Sequence, residues 1–418
     1  MPGERPKVVI VGAGFGGLEA AKALKGAPSD VTVIDEQNHH CFQPLLYQVA
    51  TAALSPADVA WPIRSILRRQ ENATVLMAEV TGIDTARKIV QADSVSVPYD
   101  YLVLATGATH SYFGHDEWAA VAPGLKRIED ATRIRRQLLI AFERAELATN
   151  ETERRRLLTF VIVGAGATGV EMAGAIAEVA RQTLARDFRR IDPKASHIVL
   201  IEAGPRVLPT FPAHLSDYVR STLQQKGVEV MTQTRVTKCD ARGVDLENGR
   251  IEAATIIWAA GVTASPAARW LGAAHDRAGR VQVGPDLSVP QHPEIFAIGD
   301  TAAVVGQQIP GIAPAAKQMG QYVGRLITAR IAGAAPSGPF RYRHQGDLAT
   351  IGRRAAVVKL NWLELRGVLG WLFWSVVHIF FLIEIRDRFI VAFNWLWDYV
   401  TFQRGARLIT RVPPQERP

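Results

Sequence analysis

Two glycine-rich segments constrain the fold of this 418-residue chain more than any other feature of its sequence. The first segment, Gly12-Ala-Gly14-Phe-Gly-Gly17, follows a run of β-branched residues at 7–11 and precedes an alanine-rich stretch. A strand, a glycine turn and a helix in this order are typical of a nucleotide-binding unit. The sequence therefore predicts an α/β fold, in which a parallel sheet is flanked by helices and binds a dinucleotide at one edge.

Each glycine of the first segment has a separate predicted role. Gly12 makes the tight turn, Gly14 lets a pyrophosphate approach the backbone, and Gly17 allows the helix to pack closely on the strand. The N-terminus of the helix then faces the phosphates. A second strand-like run ends in Asp35, 23 residues after Gly12, where a carboxylate can accept hydrogen bonds from a ribose.

The same pattern occurs a second time in the chain. The β-branched run 159–163 leads into Gly164-Ala-Gly166-Ala-Thr-Gly169, and the next strand-like run ends in Glu202. Because both segments carry the strand, the glycines and the acid in register, the chain is predicted to bind two dinucleotides.

The acid of the second unit indicates which nicotinamide cofactor is used. A carboxylate at Glu202 accepts a hydrogen bond from a free 2′-hydroxyl and repels a 2′-phosphate, which favours NADH over NADPH. Arg206 lies nearby in sequence and weakens that preference. Glu202 follows Gly164 by 38 residues, so we expect the intervening helix to extend through about residues 181–194.

Two other segments form a matched pair, each a strand ending in small residues. They are YLVLATG at 101–107 and IIWAAG at 256–261, and such an end lets the chain cross to the next domain beside the cofactor. A later strand, EIFAIGD at 294–300, ends in Gly-Asp, from which the carboxylate of Asp300 can reach the ribityl chain of a flavin. Taken alone, Gly-Asp after a strand is most often only a turn.

In this order, the segments GAGFGG, LATG, GAGATG and IFAIGD resemble the two-dinucleotide-binding flavoprotein superfamily over residues 7 to about 325. The segment 39–59, which begins HHCFQPLLYQ, and the Trp- and Arg-rich C-terminus resemble the type II NADH:quinone oxidoreductases within it. The resemblance implies two Rossmann-like domains, which hold FAD and NADH. It also implies hydride transfer from NADH to FAD and onward transfer of two electrons to a membrane quinone, without proton pumping.

The resemblance further implies contacts for each cofactor. The predicted FAD contacts are Gly12, Gly14, Gly16, Gly17, Asp35, Val80, Thr106, Gly107, Asp300, Ala313, Pro314 and Lys359. The predicted NADH contacts are Gly164, Gly166, Thr168, Gly169, Glu202 and Gly261.

Two residues are candidates for the chemistry itself. Glu171 lies at the position where the resembled enzymes carry a glutamate beside nicotinamide and quinone, although a carboxylate there also complements a helix dipole. Gln318, with Lys317, is the candidate for quinone contact on a helix that starts near Pro314. The family commonly has Ala-Gln-x-x-x-Gln here, and Pro314 replaces the first Gln. Lys317 and Gln318 also fit the polar face of an ordinary helix.

The two cysteines test other activities. Cys41 and Cys239 are far apart in sequence, so a disulfide framework, dithiol exchange and sulfide oxidation are excluded as interpretations. A single-cysteine NADH oxidase or peroxidase that uses Cys41 is the alternative. His39 and His40 lack a further ligand at metal-binding spacing, so no metal is predicted.

The C-terminal region carries the membrane prediction. Residues 367–383 form an uncharged run of 17, too short for a span that needs about 20 residues. We expect a pair of amphipathic helices lying in the plane of an anionic bilayer, with Trp, Phe and Leu toward the acyl chains and Arg toward the headgroups. The aromatic and basic residues are Trp362, Trp371, Trp374, Trp395, Trp397, Arg366, Arg386, Arg388, Arg404 and Arg407. A helix pair buried in a soluble dimer is the alternative.

Composition narrows the partners and the location. The formal net charge is +8, but no nucleic-acid-binding motif accompanies the basic residues, so nucleic acid is not expected as a partner. The first residues lack the pattern of a secretory signal, which predicts attachment to the cytoplasmic face of the cell membrane. The predicted domains are FAD-binding at 1–118 and 266–340, NADH-binding at 119–265, and membrane-attaching at 341–418. The identity of the quinone and the oligomeric state, a homodimer included, stay open.

Overall fold

The computed structural model describes residues 4–334, 338–382, 385–401 and 406–409, without side chains at 385–387 and 398–401. Arg404, one of the predicted lipid-facing residues, lies outside the described residues, as does the end of the apolar run at Ile383. The side chain of Arg386 lies outside them too.

The described residues form strands β1–β25 and helices α1–α11. The first third of the chain contains β1 (Lys7–Val11), α1 (Phe15–Ala23), β2 (Asp30–Asp35), β3 (His39–Cys41), α2 (Leu46–Ala50), β4 (Ala60–Pro62), α3 (Ile63–Leu67), β5 (Ala73–Met77), β6 (Val80–Asp84), β7 (Ile89–Ala92), β8 (Val95–Pro98), β9 (Tyr101–Leu104) and β10 (Ala108–His110). The middle contains α4 (Ile128–Leu147), α5 (Glu151–Leu157), β11 (Thr159–Val163), α6 (Ala167–Glu178), β12 (His197–Ile201), α7 (Ala213–Gln225), β13 (Val228–Met231), β14 (Val236–Asp240), β15 (Gly243–Leu246), β16 (Gly249–Glu252) and β17 (Thr255–Trp258). The last part contains β18 (Val262–Ala264), α8 (Ala267–Leu271), β19 (Val281–Val283), β20 (Ser288–Val289), β21 (His292–Ala297), β22 (Ala302–Val304), α9 (Ala313–Ile331), β23 (Asp347–Thr350), β24 (Ala356–Lys359), β25 (Glu364–Arg366), α10 (Gly367–Phe380) and α11 (Ile385–Thr401).

The chain divides into two compact units, each assembled from three segments. The first unit contains residues 1–41, 60–109 and 262–345, and the second contains 42–59, 110–261 and 346–418. The segment 42–59, which the sequence assigns to the FAD-binding domain, belongs to the second unit in this division. The predicted domain boundaries themselves stay a prediction.

The first unit is built on a six-stranded sheet of order β20-β21-β9-β1-β2-β5. All neighbours pair in parallel except β20 and β21, which form an antiparallel edge. Strands such as Val8–Val11 are buried throughout because helices cover a parallel sheet on both faces. The carboxyl ends of β1, β2, β9 and β21 therefore share one edge, where this class of sheet binds its ligand.

Helices α1 and α9 pack against each other in the first unit unusually closely. A Cβ added at Gly320 would lie 2.1 Å from the carbonyl oxygen of Gly16, and one at Gly324 would lie 2.8 Å from the carbonyl oxygen of Ala20. Glycine at these positions therefore lets the two helix backbones touch. This contact anchors the helix that starts beside the Gly-Asp turn to the first glycine segment.

The second unit contains a parallel sheet of order β13-β12-β11-β17. Helix α6 follows β11 directly, as the sequence predicts, but the predicted extension through residues 181–194 is wrong. The α-helix ends at Glu178, continues as one π-helical turn at Val179–Thr183, and gives way to turns and a 3₁₀ segment at Pro193–Ala195. Within the π-helical turn, the side chain of Arg181 donates hydrogen bonds to the carbonyl oxygens of Lys226 and Gly227, which ties the end of the helix to the segment before β13.

The C-terminal part of the second unit is an antiparallel sheet, β23-β24-β25, followed by α10 and α11. Helix α10 packs directly on β24, since a Cβ at Gly370 would lie 2.6 Å from the carbonyl oxygen of Ala356. One side of the helix pair is buried at Trp374 in α10 and Val391 in α11, and Leu382 between the two helices is buried as well. In the described part of the chain, every helix is too short or too polar to cross a membrane.

The opposite sides of α10 and α11 carry large exposed apolar residues at helical spacing. The exposed stripe consists of Leu369, Leu372, Val376, Phe380, Phe389, Phe393, Leu396 and Trp397. The predicted α/β class, with two dinucleotide-binding folds and a C-terminal pair of amphipathic helices, is confirmed.

Candidate active site

The first glycine segment forms a tight loop between β1 and α1. Gly12 has φ +97°, and a Cβ there would lie 2.4 Å from the carbonyl oxygen of Ala105, so only glycine fits. A Cβ at Gly17 would lie 1.8 Å from the carbonyl oxygen of Gly12, which forces the helix against the loop. A Cβ at Gly14 would meet no atom within 4 Å. The loop is thus open only where the predicted phosphate approaches.

Asp35 shapes this loop from the end of β2. Its Oδ2 accepts a hydrogen bond of 2.6 Å from the N–H of Ala13, and its Oδ1 accepts one of 2.8 Å from the N–H of Gln37. Burial raises the pKa of this carboxyl group, although both hydrogen bonds oppose the shift. Each oxygen of a carboxylate keeps a second lone pair, so the predicted ribose contact stays compatible with these bonds.

The second glycine segment repeats the geometry of the first. Gly164 has φ +99°, and a Cβ at Gly169 would again lie 1.8 Å from a carbonyl oxygen, that of Gly164. Gly166, like Gly14, has no atom within 4 Å of the added Cβ. Glu202 accepts hydrogen bonds of 2.8 Å from the N–H of Ala165 and 2.7 Å from that of Gly204.

Both loops fit the pyrophosphate of a dinucleotide. Helices α1 and α6 begin after Gly14 and Gly166, and glycine has no side chain with which to cap the N–H groups of the first turn. The first turn of each helix also contains no acidic residue. The uncapped N–H groups and the positive end of the helix dipole suit an anion, which is the chemistry that FAD and NADH present here.

A cleft of about 520 Å³ lies beside the Gly-Asp turn of the first unit. Gly299, Asp300, Pro310, Gly311, Ala315 and Met319 are among the residues that line it. Helix α9 begins at Ala313, one residue before Pro314, which agrees with the predicted start. A Cβ at Gly311 would lie 3.0 Å from Oδ1 of Asp300, so the turn and the segment before α9 meet at this cleft.

Thr106 and Gly107, at the end of β9, meet two residues that sequence reasoning missed. The N–H of Gly107 donates a 2.8 Å hydrogen bond to Oγ1 of Thr301, and the hydroxyl of Thr106 lies 2.5 Å from that of Ser265. Thr301 follows Asp300 directly, so its place after the turn is the signal that could have identified it. These bonds tie the end of β9 to the Gly-Asp turn.

Two other predicted FAD contacts belong to strands outside the first glycine segment. Val80 starts β6 and is buried in the hydrophobic core of the first unit. Lys359 ends β24 in the second unit, opposite Asp347 and Glu364 in the strand register. Their contacts with FAD stay predictions. Gly16 packs against the side chain of Ile298, with 3.1 Å between that side chain and an added Cβ.

Lys317 and Gln318 point to different neighbours. The ammonium of Lys317 lies 5.4 Å from the centre of the Phe15 ring, at the start of α1, and burial lowers its pKa. Gln318 uses both ends of its amide on the backbone of Arg343, donating to the carbonyl oxygen and accepting from the N–H at 2.9 Å each. Gln318 therefore holds the chain at residue 343, and its contact with quinone stays a prediction.

Glu171 is the most perturbed carboxyl group among the predicted site residues. It lies in α6, two residues after Gly169, and burial raises its pKa to about 8. The N–H of Thr350 is 3.4 Å from its Oε1 and opposes the shift. At neutral pH the group is therefore mainly protonated and can donate a hydrogen bond.

Thr168, a predicted NADH contact one turn earlier on α6, is partly exposed.

A second cleft, of about 580 Å³, lies within the second unit. Its lining includes Thr350 and a set of aromatic and amide side chains from α2, α10 and α11: Tyr47, Gln48, Trp371, Trp374 and Trp395. The amide of Gln48 donates to the hydroxyl of Tyr47 at 2.8 Å and accepts from Nε1 of Trp395 at 2.7 Å. Nε1 of Trp374 is buried and has no hydrogen-bond partner among the described residues.

This lining corrects the predicted orientation of the C-terminal tryptophans. Trp371, Trp374 and Trp395 line the cleft instead of projecting from the exposed stripe, whereas Trp362 and Trp397 are exposed. Stacking explains the difference, because Trp374 packs between Trp395 and His378, with ring centres 5.5 and 4.0 Å apart.

The basic residues of the C-terminal region also contact the protein. Arg388 donates to the carbonyl oxygen of Leu382, and Arg407 pairs with Asp187. Arg366 lies over the ring of Tyr218. The contacts of Arg366 and Arg407 hold the C-terminal region against residues 218 and 187 of the same unit.

Cys239 and His40 are buried, and Cys41 is partly exposed. Burial raises the pKa of Cys239 to about 12, which keeps that thiol protonated and unreactive. Cys41 is partly exposed at the end of β3. His40 donates from Nδ1 to the carbonyl oxygen of Ala13, and burial lowers its pKa to about 4, so it supports the first glycine loop as a neutral ring. No cluster of three or more metal-binding side chains occurs among the described residues.

The fold and the paired glycine loops define a two-dinucleotide-binding oxidoreductase. Residues 6–320 match the family model described as pyridine nucleotide-disulphide oxidoreductase, and residues 344–403 match the NDH2 C-terminal domain. The chain is 44% identical to the type II NADH:quinone oxidoreductase Ndh of Mycobacterium tuberculosis, over 98% of this chain and 91% of the relative. It is 45% identical to NdhA of the same organism, over 98% of this chain and 90% of the relative. The chain belongs to the type II NADH:quinone oxidoreductase family, as its sequence motifs predict.

Solved structures agree on the fold. NDH2 of Plasmodium falciparum in complex with NADH has a TM-score of 0.88 at 22% identity, covering 98% of this chain and all of that one. The sulfide:quinone oxidoreductase of Aquifex aeolicus has a TM-score of 0.74 at 16% identity, covering 97% of this chain and 96% of that one. Because the fold also carries this second activity, the function of the chain depends on its own residues.

Proposed function

We propose that this chain transfers a hydride from NADH to FAD and then two electrons to a membrane quinone, without pumping protons. The observation that carries the proposal is the pair of matched glycine loops. Each loop has room for a phosphate, and each donates a backbone hydrogen bond to an acidic side chain. Two such loops in one chain serve a resident cofactor and a co-substrate. The enzyme is a flavoprotein of the respiratory chain.

Hydride transfer needs orientation more than acid or base groups. FAD, when bound, supplies the hydride acceptor and the two-electron carrier. The protein's contribution is to hold each dinucleotide by its pyrophosphate and ribose, through the uncapped helix N-termini and through Asp35 and Glu202. The cleft beside Asp300 and the start of α9 suits the remainder of the flavin cofactor. The free 2′-hydroxyl of NADH is the ribose group that Glu202 accepts from.

Quinone reduction consumes two electrons and two protons, so groups that hold protons must lie near the quinone. Glu171 carries a proton at neutral pH because burial raises its pKa to about 8. Thr350, whose N–H is its neighbour, lines the aromatic cleft of the second unit. An apolar cleft with a few hydrogen-bonding groups is the environment a quinone ring requires. Lys317 and Gln318 lie on α9 of the first unit, and the polar contact with the quinone that the sequence assigns to them stays a prediction.

The exposed stripe on α10 and α11 supports peripheral attachment to a membrane. Eight large apolar side chains on one side of a helix pair would be costly to leave in water, and a lipid surface buries them. The net charge of +8 favours an anionic bilayer. We place this attachment on the cytoplasmic face of the cell membrane, where NADH is available.

One anaerobic titration tests the function. NADH should bleach the visible absorbance of the purified yellow protein, and a water-soluble quinone added afterwards should restore it. Hydrogen peroxide, added to a separate reduced sample, should restore it poorly. Fast reoxidation by peroxide, accompanied by a sulfenate at Cys41 and abolished in Cys41→Ser, would instead establish the oxidase or peroxidase activity.

A further inference from the structure

An aromatic cluster follows His110 and packs on the end of β17. Tyr112, Trp118 and Trp258 are buried in it, with the rings of Tyr112 and Trp118 centred 5.2 and 5.5 Å from that of Trp258. Phe113 differs from these three rings, because 68% of its surface is exposed. Packing explains the buried members of the cluster, but it does not explain a phenylalanine that stands in solvent.

The backbone at Phe113 is held in an unfavourable conformation. Its φ is +53°, in the left-handed region that bulky residues rarely adopt, and Gly114 follows with φ +94°. Neighbouring hydrogen bonds fix this segment, since Nε1 of Trp258 donates to the carbonyl oxygen of Ser111. Strain of this kind persists where the surrounding structure imposes it, and it occurs often at binding sites.

The strained residue directs its ring at Gly261. A Cβ at Gly261 would lie 2.5 Å from Cζ of Phe113 and 3.1 Å from both Cε atoms, so the ring approaches this glycine with its tip. The matching glycine of the first unit is Gly107, also with positive φ, and an added Cβ there has no atom within 4 Å. The two units are therefore alike in their loops and differ at this position. In the first unit the space beside Gly107 is open, whereas in the second unit the exposed ring of Phe113 covers Gly261.

The strand order indicates which part of NADH reaches this position. In the order β13-β12-β11-β17, Glu202 follows β12 and the glycine loop follows β11. The acid accepts from the adenosine ribose and the loop binds the pyrophosphate. The dinucleotide therefore runs from the end of β12 across β11, and its nicotinamide half extends toward the end of β17, where Phe113 stands.

We propose that Phe113 binds the nicotinamide ring of NADH by stacking, and that it fixes which face of that ring remains free to deliver the hydride. The proposal rests on the proposed function, because it assigns NADH to the second glycine loop. One face of the nicotinamide must meet the flavin, which leaves the other for a side chain of the protein. An exposed phenylalanine whose ring tip lies against Gly261 provides a flat apolar partner for such a ring.

The test compares two ligands, NAD⁺ and ADP-ribose, that differ only in the nicotinamide ring. NAD⁺ and ADP-ribose are titrated calorimetrically into purified holoenzyme carrying Phe113→Ala, Phe113→Gly or Phe113→Tyr. The Ala and Gly variants should bind NAD⁺ about tenfold more weakly, the order expected for loss of one stacking contact, and should bind ADP-ribose as the wild type does. Phe113→Tyr keeps the ring and should bind NAD⁺ within about twofold of the wild type. Phe113→Gly also relieves the positive φ, so this variant folds even if Phe113→Ala does not.

Kinetic measurements complete the test. Rapid mixing with NADH should give slower flavin reduction in the Ala and Gly variants, while quinone reoxidises dithionite-reduced flavin at the wild-type rate. Leu147→Ala is the matched control, because Leu147 is 72% exposed in the same unit and lies at the end of α4. It should match the wild type throughout.

Three outcomes would overturn the proposal. They are wild-type NAD⁺ affinity in both the Ala and Gly variants, equal weakening of NAD⁺ and ADP-ribose, and failure of Phe113→Tyr to restore NAD⁺ binding. The proposed function fails separately, if NADH does not reduce the flavin of the wild type, and the NAD⁺ titration still decides the role of Phe113 in that case.

Discussion

At the scale of single residues, Asp35 and Glu202 show how an acid can serve a loop and a ligand together. Each carboxylate uses one oxygen on the second residue of its glycine loop and the other on an N–H two residues further along the chain. The acid thus fixes the loop before any ligand arrives. Its remaining lone pairs can accept from a ribose, which is expected at this edge of the sheet.

Replacing Glu202 should therefore change cofactor choice. Glu202→Gln keeps an acceptor for one of the two N–H groups but removes the negative charge that repels a 2′-phosphate. We expect KM for NADH to rise about tenfold and KM for NADPH to fall, which narrows the difference between them. Steady-state assays with both cofactors measure this.

The flavin content is the internal control for the Glu202 variant. Glu202 belongs to the second unit, so the Gln variant should keep a full complement of FAD. If the unmodified enzyme used NADH and NADPH equally well, the assignment of Glu202 as the selective acid would be wrong.

The pKa of Glu171 gives a prediction about pH. Because the pKa is about 8, turnover that needs the protonated carboxyl should decline as pH rises through 8. Glu171→Gln cannot titrate, so its turnover should be lower near pH 7, by roughly tenfold or more for loss of an acid group, and should not decline at this pH. A pH profile of the steady-state rate measures both effects. Glu143→Gln, an exposed change on α4, should keep the wild-type profile.

The Glu171 carboxyl should also lower the free energy of unfolding as pH rises. The folded protein holds this proton up to about pH 8, whereas the unfolded chain releases it near the ordinary glutamate pKa of 4.5. Stability contributed by the group is therefore lost as pH rises from about 5 to 8. Glu171→Gln should melt at a higher temperature than the wild type at pH 9, and the difference should shrink toward pH 5. A constant difference across that range would contradict the assignment.

Sequence reasoning identified most residues of the two loops because glycine and acid are dictated by local geometry. It did not identify Thr301, Ser265 or Phe113, whose importance arises from contacts between distant segments of the chain. The sequence also could not indicate that Gln318 uses its whole amide on residue 343. A polar residue on a helix has the same local pattern whether it contacts the backbone or a substrate.

At the scale of elements, helices α10 and α11 combine a buried side with an exposed one. Their buried side includes Trp374 and Val391; α10 packs on β24, and both helices line the aromatic cleft. Deleting the helices from Gly367 would therefore expose core surface and would not test membrane attachment cleanly. Changing only the exposed stripe keeps the packing intact.

We expect the variant Leu372→Gln/Val376→Gln/Phe380→Gln to lose membrane binding and to keep its fold. The three side chains lie on one side of α10, and burying each in lipid contributes about 1.5–3 kcal/mol. Sedimentation with anionic vesicles should show at least a tenfold loss of bound protein. NADH should still reduce the flavin of the variant at the wild-type rate.

Leu147→Gln is the control for this variant, since it removes an exposed leucine outside the stripe. It should sediment with vesicles as the wild type does. A triple variant that still sedimented fully would show that another surface binds the membrane.

The C-terminal helices were predictable from the uncharged run 367–383 and the aromatic and basic residues after it. Whether each tryptophan ring faces solvent or the protein was not predictable. Composition indicates that aromatic residues suit a lipid interface, and it cannot distinguish an exposed ring from one stacked in a cleft. The end of α6 was missed for a related reason. The side chain of Arg181 ties the end of the helix to carbonyl oxygens 45 and 46 residues away in sequence, a contact that no local pattern reveals.

At the scale of the whole molecule, the two units use the same type of glycine loop for two ligands. The same substitution made in each loop should therefore affect FAD binding in one variant and reduction by NADH in the other. Gly14→Val and Gly166→Val each fill space that contains no protein atom within 4 Å, at residues with ordinary negative φ. Both variants should therefore fold. Gly14→Val should purify with little flavin, because the side chain occupies the space of the pyrophosphate.

Gly166→Val should instead purify yellow. Dithionite should reduce its flavin normally, while NADH should reduce it at least a hundredfold more slowly than in the wild type, since the lost contact is a pyrophosphate site. Absorbance spectra and rapid mixing distinguish the two variants. If both lost flavin, or if both kept normal reduction by NADH, the assignment of one ligand to each loop would be wrong.

The first unit is assembled from segments far apart in the chain, so its parts are synthesised at different times. Strands β1, β2, β5 and β9 are complete by residue 104, but β21 begins at residue 292 and α9 at residue 313. At about 5–20 residues per second, a ribosome needs roughly 10–40 s to cover that interval. During this time one edge of β9 lacks its neighbour and the glycine-lined side of α1 lacks its cover. The nascent chain therefore exposes an unpaired strand and an apolar helix face together, and we expect chaperones that bind such surfaces to contact it during synthesis.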